Sequence, residues 1–362
     1  MIERDSRMRS PFRFERLYTC HKTVIYFDET TKELRHGDIA SSPNNVFFQR
    51  DGECGRILYR SNNSLQPLVS DKENHIVPLQ EVNVRALMWP DVKVINCVFG
   101  QFGLHLNGLF LSAEPGGKAE FNRSRCLEWE RFFTKRFRFV SATRASEDRF
   151  FAETALGRSL QIYDFPFTER RVSFENARGL PSVYNAAIKE AKDDPAILIF
   201  IHDDVHLTDF YWSIKIREAL EEFDIVGVAG NKRRFPGQPM WVAGDFNMTK
   251  HDTEEHLSGV VGHGKGFPFR PANLNIWGVP GQEVKLIDGL MIAVDSQTLH
   301  MTNMRFDEVF DFHFYDLDFC REAEIRHLRI GTWPISVVHE SYGDLGAAWH
   351  ENLERYRAKW PD

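Results

Sequence analysis

Cysteine is scarce in this chain, and its placement removes two classes of protein at once. Cys20, Cys54, Cys97, Cys126 and Cys320 are the only five, with no C-x-x-C pair among them. An odd, scattered set argues against both a disulfide framework and a thiolate zinc site. Reduced thiols in a cytoplasmic protein are the expectation. Glycine fingerprints for phosphate are also missing: no G-x-G-x-x-G occurs. The nearest approach, GVVGHGKG at residues 259–266, has Gly266 where Ser or Thr should hold a metal, and no apolar strand precedes it. It reads as a mobile glycine-rich loop. There is no basic excess, since 45 Lys and Arg stand against 52 Asp and Glu for a net charge of -7. A nucleic-acid partner held through phosphate neutralisation is therefore not expected. The start, MIERDSRMRSPFRFER, is locally basic but lacks the apolar core of a secretion signal. No apolar run reaches membrane-spanning length, which leaves only peripheral association with a membrane.

What is present divides into two grammars. At 362 residues the chain exceeds one ordinary domain, and 42% hydrophobic residues suffice for sizeable cores. Residues 1–135 read as short strands punctuated by Gly, Asn, Asp and Pro, as in TVIYFDETTKEL, NNVFFQRDGECGRILYRS and FGLHLNGLFLSAEPGG. That pattern predicts an all-β, closed fold. Residues 102–132, FGLHLNGLFLSAEPGG through LEWERF, resemble one repeat of a β-trefoil, with an approximate partner at residues 23–60 and a poorer one between. The resemblance implies a carbohydrate- or acceptor-binding role.

Residues 136–362 alternate instead. FRFVSATR is strand-like, EDRFFAETALGRSL helical, LQIYDF strand-like, LPSVYNAAIKEAKDD helical, AILIFI a strand, FYWSIKIREALEEF a helix and DIVGVAG a strand. Such alternation predicts an α/β domain with a mostly parallel, Rossmann-like sheet. Ligands of these sheets bind beyond the carboxyl ends of the strands.

The chemistry-bearing residues fall at those ends. In LIFIHDDVHL, Asp203 and Asp204 follow the strand directly. Two adjacent carboxylates repel unless a cation offsets them. Mn²⁺ or Mg²⁺ beside a phosphate-bearing ligand meets that need, and a helix cap would use only one of the two. In FHFYDLDFC a helix is expected from Tyr315, because Phe319, Cys320 and Ala323 recur at helical spacing. Asp316 and Asp318 then fall in its first turn, where the helix dipole favours a carboxylate whatever the function. Either could serve as a general base. His339 follows the strand ISVV and could complete a Mn²⁺ shell, or be an ordinary satisfied histidine. Trp241, Trp277, Phe312 and Tyr315 are candidates for stacking on a ligand, against the default of ordinary core aromatics. Trp241 leads, since its loop RRFPGQPMWVAGD looks exposed. Arg233 and Arg234 in that loop are candidates for an anionic group, against the default of a solvated charge pair.

In order and spacing, these segments resemble the GT-A glycosyltransferases, and most closely the bacterial family 2-like group, from about Phe137 to Tyr342. The resemblance implies a nucleoside-diphosphate sugar donor contacted by Thr143 and Arg144 of SATR and by Glu175, Asn176 and Asn185 of ENARGLPSVYNAAIKEA. HDDV stands where the family has its Asp-x-Asp motif, with Asp204 as metal ligand and Asp203 near the ribose or sharing the ion. Asp288 and Gly289 of LIDGLMIAV stand beside the acceptor pocket. Asp316 aligns best with the catalytic base, with Asp318 as its competitor. The implied reaction inverts the anomeric centre and glycosylates a hydroxyl of a glycan or glycoconjugate, by analogy in surface polysaccharide synthesis. Two rivals stand beside it: a carbohydrate-binding protein with a degenerate transferase half, and a nucleotide-processing phosphotransferase.

Overall fold

The computed structural model describes residues 15–61, 64–70, 76–78, 92–265, 270–341, 343 and 345–361. The chain separates into two compact units, Met1–Lys135 and Arg136–Asp362.

The first unit is all β among its described residues. Its strands are β1 (Tyr18–Thr19), β2 (Val24–Asp28), β3 (Glu33–Gly37), β4 (Val46–Asp51), β5 (Cys54–Ser61), β6 (Ser64–Ser70), β7 (Ile76–Pro78), β8 (Val92–Asn96), β9 (Phe102–Leu106), β10 (Leu109–Ala113), β11 (Ala119–Arg123) and β12 (Phe132–Phe133). All pairings are antiparallel. β4 joins β5, β5 joins β8, β8 joins β9, β9 joins β12 and β12 joins β1. A bridge between Glu15 and Phe48 ties the lead-in of β1 back to β4. The circuit returns to its start through that bridge, and β2–β3, β6–β7 and β10–β11 pair off it. Alternating residues such as Ile25, Phe27, Val46, Phe48, Leu104 and Leu111 fill the interior, where Phe48 stacks on Phe102 at 5.3 Å. The basic start and most of the poorest stretch of the threefold sequence pattern, residues 71–75 and 79–91, lie outside the described residues. All five cysteines of the chain are free thiols.

The second unit contains β13 (Arg136–Ala142), α1 (Glu147–Glu153), α2 (Ala155–Ile162), β14 (Thr168–Ser173), α3 (Leu180–Glu190), β15 (Ala196–Ile201), β16 (Val205–Leu207), α4 (Trp212–Glu222), β17 (Ile225–Gly227) and β18 (Ala229–Asn231). There follow β19 (Leu257–Lys265), β20 (Arg270–Gly278), β21 (Glu283–Val284), β22 (Leu286–Ile287), β23 (Met291–Asp295), α5 (Ser296–Met301), α6 (Tyr315–Ile325), β24 (Ile330–Thr332), β25 (Val337–His339) and α7 (Ala347–Lys359). The main sheet runs β14-β13-β15-β23-β17-β24-β21. β15 is apolar at all six positions because it is central and buried throughout. Beneath the sheet, buried Trp212 of α4 meets Phe137 at 4.8 Å and Phe139 at 5.0 Å, edge to face.

Three sequence expectations need correction here. The sheet is mixed, because β23 runs antiparallel to both β15 and β17, and β21 antiparallel to β24. Alternation of strand and helix carries no mark of a strand's direction, so the reversal is silent in the sequence. The strand expected at LQIYDF lies later, as β14, TERRVS. This edge strand has no fully buried position, so it lacks the apolar run that would announce it, while Leu160–Ile162 closes α2. The glycine-rich stretch at 259–265 is strand β19 rather than a loop, and Gly266 lies outside the described residues. Its glycines permit close approach: a Cβ on Gly259 would sit 2.1 Å from the Val228 carbonyl oxygen. β19 belongs to a smaller sheet, β16-β25-β19-β18-β22, with β20 paired to β19.

Candidate active site

β15 ends at Ile201, and the chain then turns tightly. The His202 amide donates to the Leu290 carbonyl at 3.1 Å and the Val205 amide to the His202 carbonyl at 3.3 Å. β16 pairs with β25 so that Val205 stands opposite His339, and the Glu340 amide donates to the Asp204 carbonyl at 2.9 Å. This register carries His339 to Asp204, with Nε2 3.2 Å from Oδ1. Ligand-type atoms of His202, Asp204 and His339 lie within 4.8 Å of one another. Burial alone would raise Asp204, but the His339 hydrogen bond and charge outweigh it and hold the carboxyl at about 2. Burial opposes the charging of His339, yet Asp204 raises it above its ordinary value.

The hydroxyl of Tyr315 donates to the Gly289 carbonyl at 2.8 Å and lies 2.8 Å from His202 Nε2. With its proton so committed, that hydroxyl accepts from Nε2–H and leaves the Nδ1 lone pair of His202 unused. Asp204 Oδ1 is buried against His339. A buried carboxylate oxygen beside two imidazoles fits a divalent transition ion better than Mg²⁺, which prefers oxygen ligands alone. Asp203 is outside this group. Burial raises it against a hydrogen bond from Thr143, so its side chain faces the ends of β13 and β14.

Thr143, Arg144, Glu175 and Asn176 meet at those strand ends. The Thr143 amide donates to Ser173, Glu175 to Ala145 and Asn176 to Thr143, at 2.8–3.0 Å, which zips the two loops together. Arg144 and Glu175 are exposed. Asn185 does not join them. Its amide nitrogen donates to the Phe306 carbonyl and to Glu308, and its oxygen accepts from the Phe306 amide. Both ends of the side chain bond to the 306–308 segment.

At the start of α6 the two candidate bases separate. Asp316 Oδ2 accepts from the Gly289 amide at 3.0 Å and Oδ1 from the Leu317 amide at 2.9 Å. Burial, and next the charge of Asp288, push it up to about 7 despite those bonds. Gly289 is required at this spot, since a Cβ there would fall 2.5 Å from the Tyr315 hydroxyl and 2.9 Å from Asp316 Cβ. Asp318 points elsewhere and is fully buried. Its Oδ1 lies 2.7 Å from Lys359 Nζ and 2.9 Å from Trp360 Nε1. It ties α7 to α6 and does not line the cavity that Asp316 lines. Asp318→Asn should therefore cost about 1–3 kcal/mol of stability with turnover retained. Denaturant unfolding alongside an activity assay checks this, and a turnover loss matching that of Asp316→Asn would return Asp318 to the chemistry.

A cavity of about 380 Å³ opens between these groups. Its lining includes His202, Asp288, Gly289, Asp316 and His339 together with Trp241, His251, His263, Trp277, Phe312 and Trp349. Trp241 lines it as a buried residue, 8% exposed, and not as part of an open loop. The buried Gln238 amide donates to the carbonyls of Met240 and Trp241, and Asn231 also donates to Trp241, which knits the loop inward. Arg233 is held by both oxygens of Asp252 and Arg234 by Glu324, and neither lines the cavity. Sequence reasoning passed over His202 although it adjoins the acidic pair, and it passed over His251 and Trp349. His202 carried the one usable signal, a polar residue breaking an apolar strand. The other two are ordinary in their local sequence.

Carboxylates and imidazoles thus gather at strand ends beside an aromatic-walled cavity in an α/β domain. Residues 168–342 match the glycosyltransferase-like family, whereas no curated protein matches the chain. The C-terminal unit thus carries a domain of that family, and the protein is a glycosyltransferase. Among the described residues no helix is long and apolar enough to cross a membrane.

Proposed function

We propose that the protein is a metal-dependent, inverting GT-A glycosyltransferase that moves a sugar from a nucleoside diphosphate to a hydroxyl of a glycan or glycoconjugate acceptor in the cytoplasm. The observation that carries this reading is Asp316, held at about 7 in the wall of the same cavity that His202 and His339 enter. A base with a pKa near the working pH is best matched to taking a hydroxyl proton. Thr143, Arg144, Glu175, Asn176 and Asp203 would hold the nucleotide, and Asp288 and Gly289 would border the acceptor. His202, Asp204 and His339 would hold Mn²⁺. When bound, the ion supplies positive charge for the leaving diphosphate. Asp316 takes the acceptor proton, and Asp288 keeps Asp316 basic enough to do so.

For the first unit we propose a β-trefoil that binds acceptor glycan. Supporting the trefoil are the circuit of β1, β4, β5, β8, β9 and β12 and the three pairs outside it, four strands to each third. Calorimetric titration with a panel of nucleoside-diphosphate sugars tests the catalytic reading. One donor should bind with Mn²⁺ and not without it, and failure of every donor in both conditions would leave a carbohydrate-binding protein instead.

A further inference from the structure

We infer that the acceptor sugar is neutral, not a uronic acid or a phosphorylated or sialylated sugar, and that Trp277 selects it. This rests on the reading of the cavity as the acceptor site. Among the described residues lining the cavity there is no Lys or Arg, while Asp288 and Asp316 both line it. An anionic acceptor would bring a third negative charge into a volume of about 380 Å³ with no permanent cation to meet it, and like charges brought together at a binding site are strongly disfavoured. The nearby arginines offer no relief, because Arg233 is committed to Asp252 and Arg234 to Glu324. The ion held by Asp204 would already be matched by the donor's diphosphate.

The remaining walls favour a sugar ring. Trp241 and Trp277 stand edge to face, with centroids 5.3 Å apart at 86°, and His251 closes on Trp277 at 5.3 Å. Such rings present flat apolar surface to the C–H face of a pyranose. Trp277 lines the same cavity as Asp288 and Asp316. A sugar hydroxyl can donate to either aspartate. A carboxylate or phosphate group has no proton for them.

The test is saturation-transfer NMR on the full chain with methyl glycosides of glucose, galactose, mannose and N-acetylglucosamine, each hexoside beside its 6-carboxylate. At least one neutral glycoside should receive saturation from the protein, and its uronate should bind at least about tenfold more weakly. The neutral signal should vanish in Trp277→Ala and weaken in Trp277→Phe, which keeps a ring in the wall and guards against a folding artefact. Equal or tighter uronate binding, an unchanged signal in both Trp277 variants, or no neutral binder in the panel would each overturn the inference. Failure of the catalytic reading looks different: Trp277-dependent binding would persist while Asp316→Asn still transferred sugar. Failure of this inference alone would leave Asp316→Asn inactive with no Trp277-dependent preference for neutral sugars.

Discussion

Asp316→Asn is expected to lower turnover by about 10²–10⁴-fold, the usual contribution of a positioned base, with donor affinity unchanged. The substitution keeps shape and one acceptor oxygen for the Gly289 or Leu317 amide but removes the only form able to take a proton. The pH profile supplies a second mark. Asp316 is raised from 3.8 to about 7 by burial and by Asp288, and it works as a base only when ionised. Wild-type turnover should thus climb with pH, about tenfold per unit below 7, and level off above it. The Asn variant should show residual activity without that limb. Steady-state kinetics across pH 5–9, as an approximate range around that value, would reveal both effects, and a wild-type limb surviving in the variant would move the base elsewhere.

Asp204→Ala is expected to weaken Mn²⁺ binding by more than about 100-fold, beyond the loss typical of outer-shell partners, and to abolish Mn²⁺-dependent donor turnover. Two imidazoles would remain with no carboxylate between them. Paramagnetic resonance of free Mn²⁺ measures the first effect and donor turnover the second. Full Mn²⁺-dependent turnover in the variant would withdraw Asp204 as a ligand. Without metal, the pair also links stability to pH. Asp204 is lowered from 3.8 to about 2, so its contribution is present above 3.8 and fades as pH falls toward 2. His339 is raised above 6.5, so its contribution is present below 6.5 and fades as pH rises through its folded value. The metal-free wild type should exceed the variant in stability most clearly between those limits, by thermal unfolding across pH.

Much of the site's chemistry was legible locally. AILIFI followed by HDDV announces a buried strand ending in a ligand crevice, because six consecutive apolar residues have only a central strand to occupy. The helix start at Tyr315 was legible as well, from the recurrence of Phe319, Cys320 and Ala323. β14 was not, since an edge strand with its side chains half in water reads as polar coil. Trp241 misled for a related reason: Gly, Pro and Arg mark a loop, but the buried amides of Asn231 and Gln238 decide that this loop folds inward.

By itself the sequence determined an all-β unit followed by an α/β unit, with carboxylates at strand ends. Periodicity and strand-end polarity are properties of neighbouring residues, so they survive in one dimension. Only the tertiary structure decided which groups share a site. The β16–β25 register brings His339 to Asp204 across some 135 residues, and α7 claims Asp318 through Lys359 and Trp360. The same packing leaves Asp316 facing Asp288 across Gly289. Two aspartates one residue apart in the first turn of a helix are equivalent to any local rule, and what separates them is the face of the helix on which each stands and what the fold has packed there.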